Sequence, residues 1–363
     1  MTGRRTDGRT RSLLAGILAL CAASSAVAQE KAVAIRGGTV IPVDGAPIQN
    51  GTVVLRGGKI VAVGANVSIP SGAEIVDAKG KYVLPGLVDA MTSIGFAGND
   101  LNENSNPVTP EERAFEAYNP FGTFGGGKPG PLRNAEMLSG GVTTIYVASA
   151  DAALISGQGA VVKTAGNTLD GLVVREPASM DMTLGEPPKR PARAANRDPA
   201  TRMAEIAMIR QALIKAQEYA TNRAANPNAP RDLGMEALGK LLKKEFPARI
   251  QATSARDIRN AMGLAQEFGF DLVIDGAAAA MTYKEELASR KIPVVLGQVT
   301  HPYISNEEIP NRDDYPPVDE RIPGQLVAAG VKVALASFSR AFATLAPAGT
   351  AKWLLIDAAT AAG

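Results

Sequence analysis

The chain has 363 residues, enough for one barrel-sized domain plus a smaller one. Its 38 Lys and Arg against 36 Asp and Glu leave a net charge of +2 without a basic stripe, which argues against nucleic acid as a partner. A single cysteine, Cys21, and a single histidine, His301, exclude a disulfide framework and any site built from several imidazoles.

Residues 1–28 read as a targeting segment. "MTGRRTDGRTRS" carries four arginines, and "LLAGILALCAASSAVA" is a short apolar run ending in Ala26-Val27-Ala28. That pattern predicts a secretory signal peptide cleaved after Ala28, hence a periplasmic protein. The run is too short and too alanine-rich for a membrane span, so none is expected in the mature form. "RRTDG" lacks the apolar residues of a twin-arginine signal, and Leu20 is too large to precede a lipidated cysteine. The segment takes four of the basic residues, one acidic residue and Cys21 with it, leaving a mature net charge of about −1.

Residues 29–84 alternate short Val-, Ile- and Thr-rich runs with Gly-Gly and Asp-Gly turns: "AVAIRGGTVIPVDG", "GTVVLRGGKIVAVG", "AEIVDAKGKYVL". They predict a small all-β unit. From residue 85 strands and helices alternate. "GVTTIYVAS" (141–149) is a buried strand. "TRMAEIAMIRQALIKAQEYA" (201–220) is a helix with Met203, Ile206, Ile209 and Leu213 on one side. Strands then follow at "ARIQAT", "DLVIDG", "IPVVLGQV" and "VKVALAS", separated by helices at "ARDIRNAMGLAQEFG", "YKEELASRK" and "GQLVAAG". Such alternation predicts a parallel sheet with crossover helices, closed into a barrel. Residues 97–131 and 176–199, rich in Pro, Gly and Asn, read as long loops. "GTFGGGK" (122–128) has the spacing of a phosphate loop. Pro129 stands where Ser or Thr is required, and neither a strand before it nor a helix start after it is evident, so it reads as an insertion.

"GGTVIPVDG…GKIVAVG", "VLPGLVDA" and "GGVTTIYV" together resemble the amidohydrolase superfamily. "NPVTPEERAFEAYNP", "GQGAVVK" and "MTLGEPPKR" are similar to its exported, imidazolonepropionase-like branch. The resemblance implies an α/β fold: a distorted (β/α)8 TIM-type barrel over residues 85–363, behind a small N-terminal β-sandwich over 29–84. It also implies zinc or another divalent metal at the C-terminal ends of the barrel strands. There the metal would lower the pKa of a bound water and polarise a carbonyl. Alternate residues of a strand point the same way, so His-x-His on the first strand would send two imidazoles into the barrel mouth.

This sequence departs from that pattern at each ligand position. "D-x-H-x-H" is here Asp89-Ala90-Met91-Thr92-Ser93. The pair of a later "H-A-H" becomes Gln251 and Thr253, and "E-H-G" becomes Asp275-Gly276-Ala277. The closing "G-T-D-S" is Ala336-Ser337-Phe338-Ser339, with Phe338 where the family places its general base. Asp89 alone is retained. Lys163 matches a lysine that some relatives carbamylate to bridge two metals. Methionine is a soft ligand and serine a poor neutral one, so no cofactor is expected.

His301 follows a predicted strand on the catalytic face, as an acid–base group or as a surface or ligand contact. Asp89 is either a lone catalytic acid or a hydrogen-bonded remnant. Met91 and Phe338 fill space that a metal and its water would occupy. Asp275 is positioned to cap the next helix. The ending "AKWLLIDAATAAG" stops short of the family's return to the β-sandwich, so the expectation is an incomplete sandwich with open edges. The functional expectation is an amidohydrolase homologue that has lost metal-dependent hydrolysis. Its role is then either subunit of an intact, histidine-bearing homologue or binder of a small amide or peptide. The alternative is a divergent hydrolase of carbon–nitrogen bonds.

Overall fold

The computed structural model describes residues 31–92, 94–96, 100, 102–121, 133–297, 319 and 321–337. Residues 1–30 with the expected signal peptide, Ser93, the "GTFGGGK" stretch, His301 and everything from Phe338 onward lie outside the described residues. The chain divides into two compact units, residues 1–85 and 86–363.

The first unit is one mixed sheet of five strands: β1 (Val33–Val40), β2 (Ile48–Arg56), β3 (Lys59–Gly64), β4 (Glu74–Asp77) and β5 (Tyr82–Val83). The order is β3-β2-β1-β4, with β5 also beside β1. β2 and β3 form a hairpin through Gly57 and Gly58, both at positive φ, which the two-residue turn demands. One face packs Ala34, Val54 and Ala62 under Val67 and Ile69. A second sandwich layer is not found among the described residues. Ile60, Val61, Val63, Ile75 and Val76 are exposed.

The second unit holds eight strands: β6 (Leu87–Thr92), β7 (Val142–Val147), β8 (Ile155–Lys163), β9 (Val173–Thr183), β10 (Ala248–Gln251), β11 (Leu272–Asp275), β12 (Val294–Gly297) and β13 (Val333–Ala336). They follow one another in chain order across the sheet. The edges β6 and β13 lie against each other, giving a nearly closed barrel. Seven strands run in one direction, while β8 is antiparallel to both β7 and β9. The eight uniform βα units implied by the resemblance are therefore interrupted at β8.

The helices are α1 (Ala114–Ala117), α2 (Arg133–Ser139), α3 (Leu169–Leu172), α4 (Glu186–Ala194), α5 (Arg202–Ala225), α6 (Leu233–Leu242), α7 (Ala255–Phe268), α8 (Lys284–Ser289) and α9 (Ile322–Ala328). Their starts are legible chemically. Thr201 caps α5 through Ala204 N–H, Asp232 caps α6 through Met235 N–H, and Ser254 caps α7 through Asp257 N–H. Gly269 ends α7 in the left-handed conformation.

Strand alternation sorts the side chains. Met180, Met182, Ala248, Ile250, Leu272, Ile274, Val294 and Leu296 turn outward, into one core with Ile209, Leu213, Leu238, Leu241, Ile258 and Met262 of the helices. Burying each large apolar group contributes about 1.5–3 kcal/mol. The intervening residues, Asp181, Thr183, Arg249, Gln251 and Asp275, form the other set and face the interior. Two expectations change here. Residues 176–199 hold most of β9 and all of α4 rather than a loop. On α5, Met203 is 79 % exposed, because the buried side runs through Glu205, Ile209, Ala212, Leu213 and Ala216 instead.

Candidate functional site in the barrel mouth

β6, β10 and β11 bring Met91, Gln251 and Asp275 to their C-terminal ends, around a small cavity that Asp181, Arg249 and Ser156 also line. Its volume is about 20 Å³, room for roughly one water molecule.

Arg249 organises this interior. Its Nε and Nη2 donate to the two carboxylate oxygens of Asp275 at 3.0 and 2.8 Å, a bidentate pair with both partners buried. Its guanidinium carbon stands 3.7 Å from the centre of the Tyr146 ring, a cation–π contact. Tyr146 donates its hydroxyl to Asp181 Oδ1 at 2.5 Å and is in hydrogen-bond contact with Ser179, which donates to the same carboxylate oxygen at 3.0 Å. Asp181 is the direct cross-strand neighbour of Arg249. Its other oxygen, Oδ2, is buried with no hydrogen-bond partner.

The electrostatics follow from burial. Desolvation pushes Asp181 up to about 7, although Arg249 and the Tyr146 hydroxyl draw it down. Burial likewise raises Asp275 against the pull of Arg249. Desolvation, with the neighbouring Asp181 charge behind it, lifts Tyr146 well above the usual phenol range. The network requires Gly159: a Cβ there would lie 1.9 Å from the Tyr146 hydroxyl and 2.7 Å from Asp181 Oδ2.

Asp89 closes the barrel. Its carboxylate accepts from the backbone N–H of Ser337 at 2.9 Å, the Ser337 hydroxyl at 2.5 Å and the Met91 N–H at 3.3 Å. Full burial raises it to about 6 despite those donors. A second buried charge cluster lies just beyond β9. Lys189 and Arg193 donate to Glu186 at 2.5 and 3.2 Å, and Arg202 pairs with Asp257 at 2.9 Å. Gly185 N–H donates to Glu205, whose other oxygen is buried and unpartnered. Burial raises Glu205 to about 7.

No family model matches the chain. Among curated proteins, "Amidohydrolase tasK" of Hapsidospora irregularis is 27 % identical over 235 residues, which is 56 % of this chain and 23 % of that protein. "Imidazolonepropionase" of Mesorhizobium japonicum is 40 % identical over 60 residues, 15 % of each. The chain thus matches less than a quarter of the length of these curated relatives. Among solved structures, an amidohydrolase from Thermotoga maritima MSB8 superposes with a TM-score of 0.79 at 31 % identity, covering 91 % of this chain and 83 % of that one. The chain belongs to the amidohydrolase superfamily.

The residues that the sequence resemblance sets at ligand positions are placed as follows. Met91 and Gln251 line the cavity. Gln251 donates to Asp151 at 3.4 Å. Thr253 and Gln251 flank Gly276: a Cβ on Gly276 would stand 3.4 Å from Thr253 Oγ1 and 3.7 Å from Gln251 Cγ. Gly276 has φ +77°, so a histidine there would be strained. Lys163 sits apart, at the opposite end of the barrel, with Nζ donating to Thr144 at 2.9 Å. Asp275 does not cap a helix; it pairs with Arg249. Ser93, His301 and Phe338 lie outside the described residues. Among the described residues, no three His, Cys, Asp or Glu side chains are grouped to hold a metal ion. Arg249, Asp181 and Tyr146 were not singled out from sequence. The signal for Arg249 and Asp181 was a charged residue inside an otherwise apolar strand, "ARIQ" and "SMDMT"; Tyr146, in "VTTIYV", carries no such signal.

Proposed function

We propose that this amidohydrolase-family protein, of the imidazolonepropionase-like branch, works without a hydrolytic metal and binds a small amide or peptide at its barrel mouth, above the cavity, which itself holds only about one water molecule. The observation that carries the reading is the content of the mouth. A thioether, a carboxamide, a hydroxyl and a glycine stand at the family's histidine positions, beside a buried guanidinium–carboxylate pair. Such donors suit a divalent cation poorly, and a guanidinium repels one. The remaining polar groups, Ser156, Gln251 and Asp181 Oδ2, are hydrogen-bonding equipment for an amide. Export to the periplasm behind residues 1–28 is part of the proposal and rests on the sequence. Among the described residues no helix is long and apolar enough to cross a membrane.

The test is a thermal-shift screen of the mature protein against small amides, ureas and dipeptides, with each mixture read by mass spectrometry. Stabilisation without product formation is expected, since a ligand that binds only the folded state raises its stability. Turnover abolished by chelator would overturn the reading in favour of a divergent carbon–nitrogen hydrolase. A second role, subunit of a histidine-bearing homologue, is favoured by the exposed apolar side chains of β3 and β4. Native mass spectrometry of the protein drawn from its own periplasm would show that partner at fixed stoichiometry, and a lone monomer would count against it.

A further inference from the structure

We infer that Arg249 is a tethered cation that takes over the electrostatic duty of a metal in this barrel. The inference rests on the metal-free reading and goes past it, by naming what replaced the metal and what its removal would uncover.

Three carboxylates point into the interior from three separate strands: Asp89 from β6, Asp181 from β9 and Asp275 from β11, each less than a tenth exposed. Buried carboxylates need a positive partner, because isolated charge is costly away from water. Arg249 is the cationic side chain lining the cavity that Asp181 and Asp275 share. It binds Asp275 through two nitrogens and is the register neighbour of Asp181. Its attraction also lowers the proton affinity of Asp89, Asp181 and Asp275 alike. The Tyr146 ring fixes the guanidinium from one face. A guanidinium stays charged at every working pH and, anchored to β10, cannot be chelated away.

Asp181 Oδ2 supplies the independent observation. It is a buried carboxylate oxygen without a hydrogen-bond partner, in the wall of the same cavity. Deleting the guanidinium would leave it, the Asp275 carboxylate and the Gln251 amide oxygen around an enlarged space. That is an all-oxygen donor set of the kind Mn²⁺ and Mg²⁺ accept.

The experiment titrates Mn²⁺ into chelator-treated mature protein as wild type, Arg249→Lys, Arg249→Ala and the double variant Arg249→Ala/Asp275→Asn. Calorimetry, thermal shift and far-UV circular dichroism are the readouts. Wild type and Arg249→Lys should show no saturable binding. Arg249→Ala should bind one Mn²⁺ at least about tenfold more tightly than wild type and gain thermal stability on binding. If Arg249→Ala is unfolded without metal, refolding on Mn²⁺ addition is the same result. The double variant should fold without metal and lose the acquired affinity. An Arg249→Ala protein, folded or not, that ignores millimolar Mn²⁺ would overturn the inference while leaving the metal-free reading standing. Saturable binding by wild type would instead overturn the metal-free reading.

Discussion

Asp89 and Ser337, 248 positions apart in sequence, are joined by two hydrogen bonds, from the serine backbone N–H at 2.9 Å and its hydroxyl at 2.5 Å. One residue lies in the first barrel strand and the other directly after the last, so this pair pins the seam where the sheet closes. Asp89 therefore has a structural role at the seam that needs no metal.

Removing that acid should be costly in a graded way. Asp89→Ala leaves the Ser337 N–H without its acceptor and is expected to lower stability by about 2–3 kcal/mol. Asp89→Asn keeps an acceptor for the N–H and should cost less than about 1 kcal/mol. Urea midpoints at constant slope read both. Equal losses would mean that charge, not hydrogen bonding, holds the seam.

Acid should stabilise this protein down to mildly acidic pH. Burial raises Asp89 to about 6 and Asp181 and Glu205 to about 7, all above their unfolded values. Such acids hold protons more tightly when folded, so their contribution is full below the unfolded pKa and is lost as pH rises through the folded one. Stability should climb between pH 7 and pH 5, by on the order of 1–2 kcal/mol per group. Asp181→Asn should flatten that slope. A melting temperature that falls steadily from pH 7 to pH 5 would contradict it.

Gly159 is needed for its missing side chain. Gly159→Ala places a carbon where the Tyr146 hydroxyl stands, and overpacking of this kind costs about 1–3 kcal/mol. Because Tyr146 also stacks on Arg249, the near-ultraviolet circular dichroism of the tyrosines should change as well. An unchanged spectrum at wild-type stability would show that the interior is looser than the geometry implies.

The cluster after β9 makes a separate claim. Lys189 and Glu186 are both less than a tenth exposed and pair at 2.5 Å. Lys189→Met leaves Glu186 to Arg193 and Arg202 and should cost about 1–3 kcal/mol, whereas Lys189→Met with Glu186→Gln should recover most of it. Non-recovery in the double variant would assign the loss to packing rather than charge.

Much of this fold is legible in the sequence where local pattern and tertiary role agree. The strands β10 to β13 read as Val-, Ile- and Leu-rich runs, and the helices α7 and α8 as periodic segments between them. β9 does not, because Pro177 and its neighbours mark residues 176–199 as loop, and β8, interrupted by Gly157 and Gly159, does not stand out as a strand. Gly159 and Asp181 serve Tyr146 and Arg249, and Gly157 makes room for the Glu112 carbonyl, contacts that exist only once distant segments are side by side. The site was half legible for the same reason. Positions such as Met91 and Gln251 are reached by comparing motifs with the family the sequence resembles, and both line the cavity. The guanidinium of Arg249, which lines the same cavity, comes from an inward-facing position that no metal motif marks.

The metal content of the mature protein, purified without chelator and read by inductively coupled plasma mass spectrometry against protein concentration, tests the central claim most directly. Far less than one zinc, manganese, iron or other divalent transition-metal ion per chain is the expected result, unchanged after incubation with excess zinc and desalting. One or two tightly held ions per chain would contradict it and return the barrel mouth to metal-dependent hydrolysis.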